Sequence, residues 1–121
     1  MGSLDALRRL LAWIDPADAE EYGVTLHGLV TASLMTKNRV LARHFLKMQQ
    51  TVPEDDWPEK PIFVILSQAE MAKTAKRYGQ AELLLDEVEA LVPVLAPQDS
   101  WGHLPTIAQL RAAIANIRRN R

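Results

Sequence analysis

The sequence contains no cysteine. That removes disulfides, thiol nucleophiles and cysteine-held metal sites, and it fits a reducing compartment. Net charge is nearly absent as well. Fourteen Lys and Arg against 15 Asp and Glu leave −1, so no bulk field draws the chain to nucleic acid or to an anionic membrane. Long apolar runs are missing. The longest, Ile62-Phe63-Val64-Ile65-Leu66, is far below the ~20 residues of a membrane helix. Met1-Gly2-Ser3-Leu4 has no basic-then-apolar leader pattern. The sequence also has no G-x-S-x-G, phosphate loop, G-x-G-x-x-G or H-E-x-x-H motif, the signatures of several catalytic and nucleotide sites. His27, His44 and His103 lie in different segments without metal-ligand spacing, and each reads as a lone polar or packing histidine. Glu20-Glu21 and Asp55-Asp56 are adjacent acids, poorly placed for acid/base work. The expectation is a cytoplasmic, non-catalytic chain with no cofactor and no metal.

What remains is ordinary globular material: 121 residues, 48% hydrophobic and 24% charged, the size of one domain. Helical periodicity predicts six segments. The first covers about 3–14, with Ser3 as N-cap and Leu4, Leu7, Leu10, Leu11 and Ile14 on one face. Asp15-Pro16 ends it. Two hairpins follow, over 19–52 and 62–92, each broken by a tight turn, at Lys37-Asn38 and at Tyr78-Gly79. The apolar run opening the fourth segment resembles a buried strand. Ala69, Met71, Ala72 and Ala75 continue at helical spacing, which favours helix. A last helix is expected over 105–119, with Pro105 in its first turn and basic residues at its end. The class is therefore all-α.

One segment is written twice. Asp55-Asp56-Trp57-Pro58-Glu59-Lys60-Pro61 returns 44 residues later as Asp99-Ser100-Trp101-Gly102-His103-Leu104-Pro105, and both copies read D-x-W-x-x-x-P. Each follows a helical stretch that ends in Val-Pro, Val52-Pro53 and Val92-Pro93. A repeat of this length made of helices predicts a solenoid, whose units bury their apolar faces against one another. Trp57 and Trp101 are expected to pack each inter-hairpin loop onto the next repeat, and Trp13 to do the same against the first hairpin. Asp55 or Asp99 would cap the turn or the following helix.

Lys76-Arg77-Tyr78-Gly79-Gln80-Ala81-Glu82-Leu83-Leu84-Leu85-Asp86-Glu87-Val88-Glu89-Ala90-Leu91-Val92-Pro93 resembles the second half of a tetratricopeptide repeat. Tyr78 takes the turn aromatic, Ala81 the small early position, Leu85 and Val88 the large apolars, and Pro93 the closing proline. Ala69 and Ala72 match the small contacts of the first helix, which paired helices need to approach closely. The unit from about Tyr22 to Val52 matches less well, with Leu41 at the place of Ala81 and no aromatic in its turn. The resemblance implies a right-handed α-solenoid of antiparallel hairpins. It also implies a concave groove lined by the first helix of each. On this sequence that groove would be Leu26, His27, Val30, Leu34, Phe63, Leu66, Ser67, Glu70, Lys73 and Thr74, receiving a partner helix or peptide. For any single apolar member, core is the simpler reading.

Arg39, Arg43 and Lys47 form a basic stripe at four-residue spacing, with no acid between Asn38 and Gln50. Like charges so placed are mutually destabilising, by roughly 0.2–0.5 kcal/mol per pair. Two compensations are open: pairing with the acidic row Glu82, Asp86 and Glu89, or an acidic ligand. Internal pairing is the expectation, and nucleic acid ranks third because no aromatic interleaves with the stripe. The functional reading is a protein-interaction module, as adaptor, chaperone or regulatory subunit. A self-assembling module, or a piece of a larger repeat-containing regulator, is the alternative.

Overall fold

The computed structural model describes residues 2–120, with the side chains of residues 2 and 3 left out, so the cap expected of Ser3 falls outside the described side chains. The fold is all-α, and no strand occurs among the described residues. Six helices follow in order: α1 (Gly2–Trp13), α2 (Ala19–Met35), α3 (Arg39–Thr51), α4 (Lys60–Thr74), α5 (Tyr78–Leu95) and α6 (His103–Arg119). Several boundaries differ from expectation, among them the second tight turn, which lies at Lys76-Arg77 and not at Tyr78-Gly79, both of which belong to α5. Helix α4 starts before Pro61, which sits in its first turn. There the missing N–H is one that has no intrahelical partner anyway. Helix α6 starts at His103, with Pro105 likewise in the first turn. Helix α5 runs past Pro93 to Leu95. Its last turn survives because the Ala96 amide bonds the Val92 carbonyl at 2.8 Å.

The consecutive helices α2 and α3, and α4 and α5, pack as two pairs. Their turns are the same. Lys37 and Lys76 both take the left-handed conformation, at φ 61° and 64°. In each, the next amide reaches back five residues, Asn38 to the Ser33 carbonyl and Arg77 to the Ala72 carbonyl, both at 2.8 Å. This is the Schellman way of closing a helix. Superposing the turns puts Ala42 opposite Ala81, and both are fully buried. Ala42, not Leu41, is thus the small residue that lets the first pair close. The same registration sets the buried Gln49 against Val88, and the Gln49 amide meets no hydrogen-bond partner.

Two cores meet at α4. Leu26, Leu29, Val30, Phe45 and Trp57 fill the first, with Leu4, Leu7 and Leu11 of α1 packed against it. Leu85, Val88, Ile107, Leu110 and Ile114 fill the second. Phe63 of α4 points into the first core, while Ile62, Leu66, Ala69 and Ala72 point into the second. A helix buried on both sides loses the one-sided apolar stripe, which explains the strand-like run at its start.

Candidate binding surface

The groove expected between α2 and α4 is closed. Leu26, Val30, Leu34, Phe63 and Ser67 are buried where the two helices pack against each other, and Leu66 is buried in the second core. Apart from Leu34, which edges two cavities, these are core and offer no surface to a partner. Glu70, Lys73 and Thr74 stay half-buried at the far end of α4. Lys73 pairs with Glu70 at 3.3 Å, and the Thr74 hydroxyl donates to the Glu70 carbonyl at 2.9 Å. With Thr31, Leu34 and Met35 they line a cavity of about 360 Å³.

At the other end of α4 the ring of Phe63 gathers four neighbours. His103, His27 and Trp101 meet it edge-on at 4.9, 5.5 and 5.9 Å between centroids, and Trp57 lies tilted at 5.4 Å. His27 Nδ1 sits 2.8 Å from Ser67 Oγ, and His103 Nε2 sits 2.7 Å from Glu59 Oε1. Burial, aided by the nearby His103, pushes the His27 pKa down from 6.5 to about 4. His27 is therefore neutral at physiological pH. A serine beside a neutral histidine has the spacing of a nucleophile and its base. Here Ser67 is fully buried and no carboxylate orients His27 through a hydrogen bond. The contact pins α2 to α4. His103 is likewise no lone histidine: it ties α6 to the start of α4. The repeat carried that signal, since Glu59 and His103 hold the same place in its two copies.

The two tryptophans of the repeat diverge. Trp57 is fully buried against Gly23, where any Cβ would collide with its ring. Trp101 remains 48% exposed and meets Phe63 in a T-shaped contact. Trp13 is 88% exposed, so it does not pack onto the first pair as expected. Asp99 caps α6, accepting from the His103 and Leu104 amides at 2.5 and 2.9 Å. Asp55, its counterpart, forms no such bond.

The basic stripe does not meet the acidic row. Arg111 of α6 binds Asp86 at 2.8 Å and Glu89 at 3.0 Å, and Arg118 binds Glu82 at 2.9 Å. The acids of α5 thus face α6 rather than α3, and the expected internal compensation is absent. Arg39, Arg43 and Lys47 are exposed. Among the described residues none of them has a carboxylate within 4 Å, and Arg39 instead donates to the Thr74 carbonyl at 3.3 Å.

Helices α3 and α5 both lie against α4 without packing along one another. Between them a cleft of about 420 Å³ opens. Its floor is Gln68, Met71, Ala72 and Ala75 of α4, with Arg39, Arg43 and Leu46 on one wall and Arg77, Gln80 and Leu84 on the other. The sequence did not single out this face, since Met71, Ala72 and Ala75 served there to mark α4 as helical. No group of three or more His, Asp or Glu suited to a metal occurs among the described residues, and no described helix is long and apolar enough to cross a membrane. Comparison with protein-family models, with curated proteins and with solved structures finds no match.

Proposed function

We propose that this chain is a short α-solenoid of the tetratricopeptide kind that works by binding another protein rather than by catalysis. The binding surface is the cleft between its two helix pairs, not the face formed by α2 and α4. The observation that carries this reading is the cleft itself. It combines an apolar floor with flexible polar and cationic walls, the makeup of a recognition site. Its size, about 420 Å³, suits a few side chains of a docked segment. Met71 on the floor supplies an adaptable apolar contact of the sort favoured at binding surfaces.

Selection from a displayed random-peptide library tests the proposal. Two variants plug the cleft, Gln68→Trp and Ala75→Trp, with circular dichroism as the check that each remains helical. Peptides retained by the native chain and lost by both variants are the expected result. Enrichment of the same peptides on plugged and native chains, or no enrichment on either, refutes it.

A further inference from the structure

The walls of this cleft are chemically one-sided. Arg39 and Arg43 project from α3, and Arg77 sits where α5 begins. No acidic side chain lines the space. Three of the four α5 acids, Glu82, Asp86 and Glu89, are held by α6, and the fourth, Glu87, does not line the space. The side chains of Arg43 and Arg77 make no hydrogen bond or ion pair among the described residues. Helix α5 also lacks a side-chain cap, since Arg77 at its N-cap makes none, so the positive end of its dipole adds to the same field. The cations continue along α3. Lys37 lines an adjoining cavity that shares Arg39, and Lys47 lines another that shares Arg43 and Leu46. Val40, on the same track, is 76% exposed.

We infer that the cleft takes an acidic amphipathic segment of a partner protein. Its carboxylates would lie along Arg39, Arg43 and Arg77, and an apolar side chain would reach the Met71 floor. Charge complementarity selects this occupant. Guanidinium groups bind carboxylates in planar two-point contacts, and their mutual repulsion along the wall is relieved only by an anion. Leu46, Met71 and Leu84 add apolar surface that a simple ion would leave unused. The inference rests on the binding reading above and specifies its partner.

The test is fluorescence anisotropy with a labelled peptide of about twelve residues built from Glu, Asp and Leu, alongside a neutral version carrying Gln and Asn. The expected result is binding of the acidic peptide alone, weakened as salt rises from about 50 to about 500 mM. Arg43→Glu and Arg77→Glu should each weaken it at least about tenfold. Arg9→Glu makes the same charge change on α1, which lines no part of the cleft, and should weaken it far less. Equal losses for Arg9→Glu and Arg43→Glu would reduce the effect to net charge and overturn the inference. Equal binding of the neutral peptide, abolished by Ala75→Trp, would overturn the acidic preference while leaving the cleft as a docking site. Failure of both peptides, combined with an empty library selection, would end the binding reading as well. Displacement of the acidic peptide by micromolar pyrophosphate would assign the cleft to a small polyanion and overturn the protein partner.

Discussion

Single residues decide how the helix pairs lock together. Trp57 lies fully buried because Gly23 leaves room for its ring. Trp101, its copy in the repeat, stays half-exposed in a T-shaped contact with Phe63. His27 carries a price in proton affinity. Its pKa falls from 6.5 unfolded to about 4 folded, so between those values the unfolded chain holds the extra proton. The stability tied to a neutral His27 is complete above about pH 6.5, is lost progressively as pH falls, and is gone below about pH 4. The shift corresponds to about 3 kcal/mol. The melting temperature should therefore drop between pH 6.5 and 4. His27→Asn keeps a polar group toward Ser67 but does not titrate, and it should flatten that drop. An unchanged slope in the variant would place the acid sensitivity elsewhere. Ring-proton NMR titration of the native chain measures the same shift directly.

At the level of elements, the helices begin by several devices. Asp18 and Asn38 cap α2 and α3 from the ordinary position, accepting from the Glu21 and Leu41 amides. Glu59 stands at the cap of α4 without bonding its amides, its carboxylate being engaged by His103. Gly102 precedes α6 with no side chain to offer, and Asp99, held at φ 47°, supplies both capping oxygens from three residues upstream. Asp99→Ala should cost about 1–2 kcal/mol in denaturant unfolding. Asp99→Asn should cost less, because Asn tolerates the left-handed backbone and keeps one acceptor. Equal losses for both would assign the effect to charge near the helix terminus rather than to the cap. The helices themselves were legible from periodicity. Their ends were not, because Pro61 and Pro105 fit inside a first turn as readily as they precede one.

For the whole molecule, α6 is the element on which the second core depends. Ile107, Leu110 and Ile114 close it over Leu85, Val88 and Val92, and the Arg111 and Arg118 pairs fix their register. Exposed ion pairs contribute little each, so the apolar seal carries most of the stabilisation. A chain truncated after residue 97 should melt at a markedly lower temperature and bind a hydrophobic dye while α1 to α3 stay helical by circular dichroism. A truncated chain as stable as the native one would show that α6 is an appendage. The same helix also sets the electrostatics of the cleft, since by holding Glu82, Asp86 and Glu89 it leaves the α3 cations without an internal partner.

The sequence by itself determined the helical class, the break between α2 and α3 at Lys37-Asn38, the small residues of the second pair, and an α3 without acids. These are local properties, set by spacing along one helix or by what a turn demands of the backbone. Which side of each helix meets which neighbour was decided only by tertiary packing. Helix α5 has α4 and α6 as neighbours, and its acidic row could be assigned only once α6 was placed. Likewise α4 is buried on two sides, so its apolar residues could not announce whether they line a groove or fill a core. The open surface lies where α3 and α5 part over α4, a gap that depends on how three helices cross and that no single stretch of chain encodes.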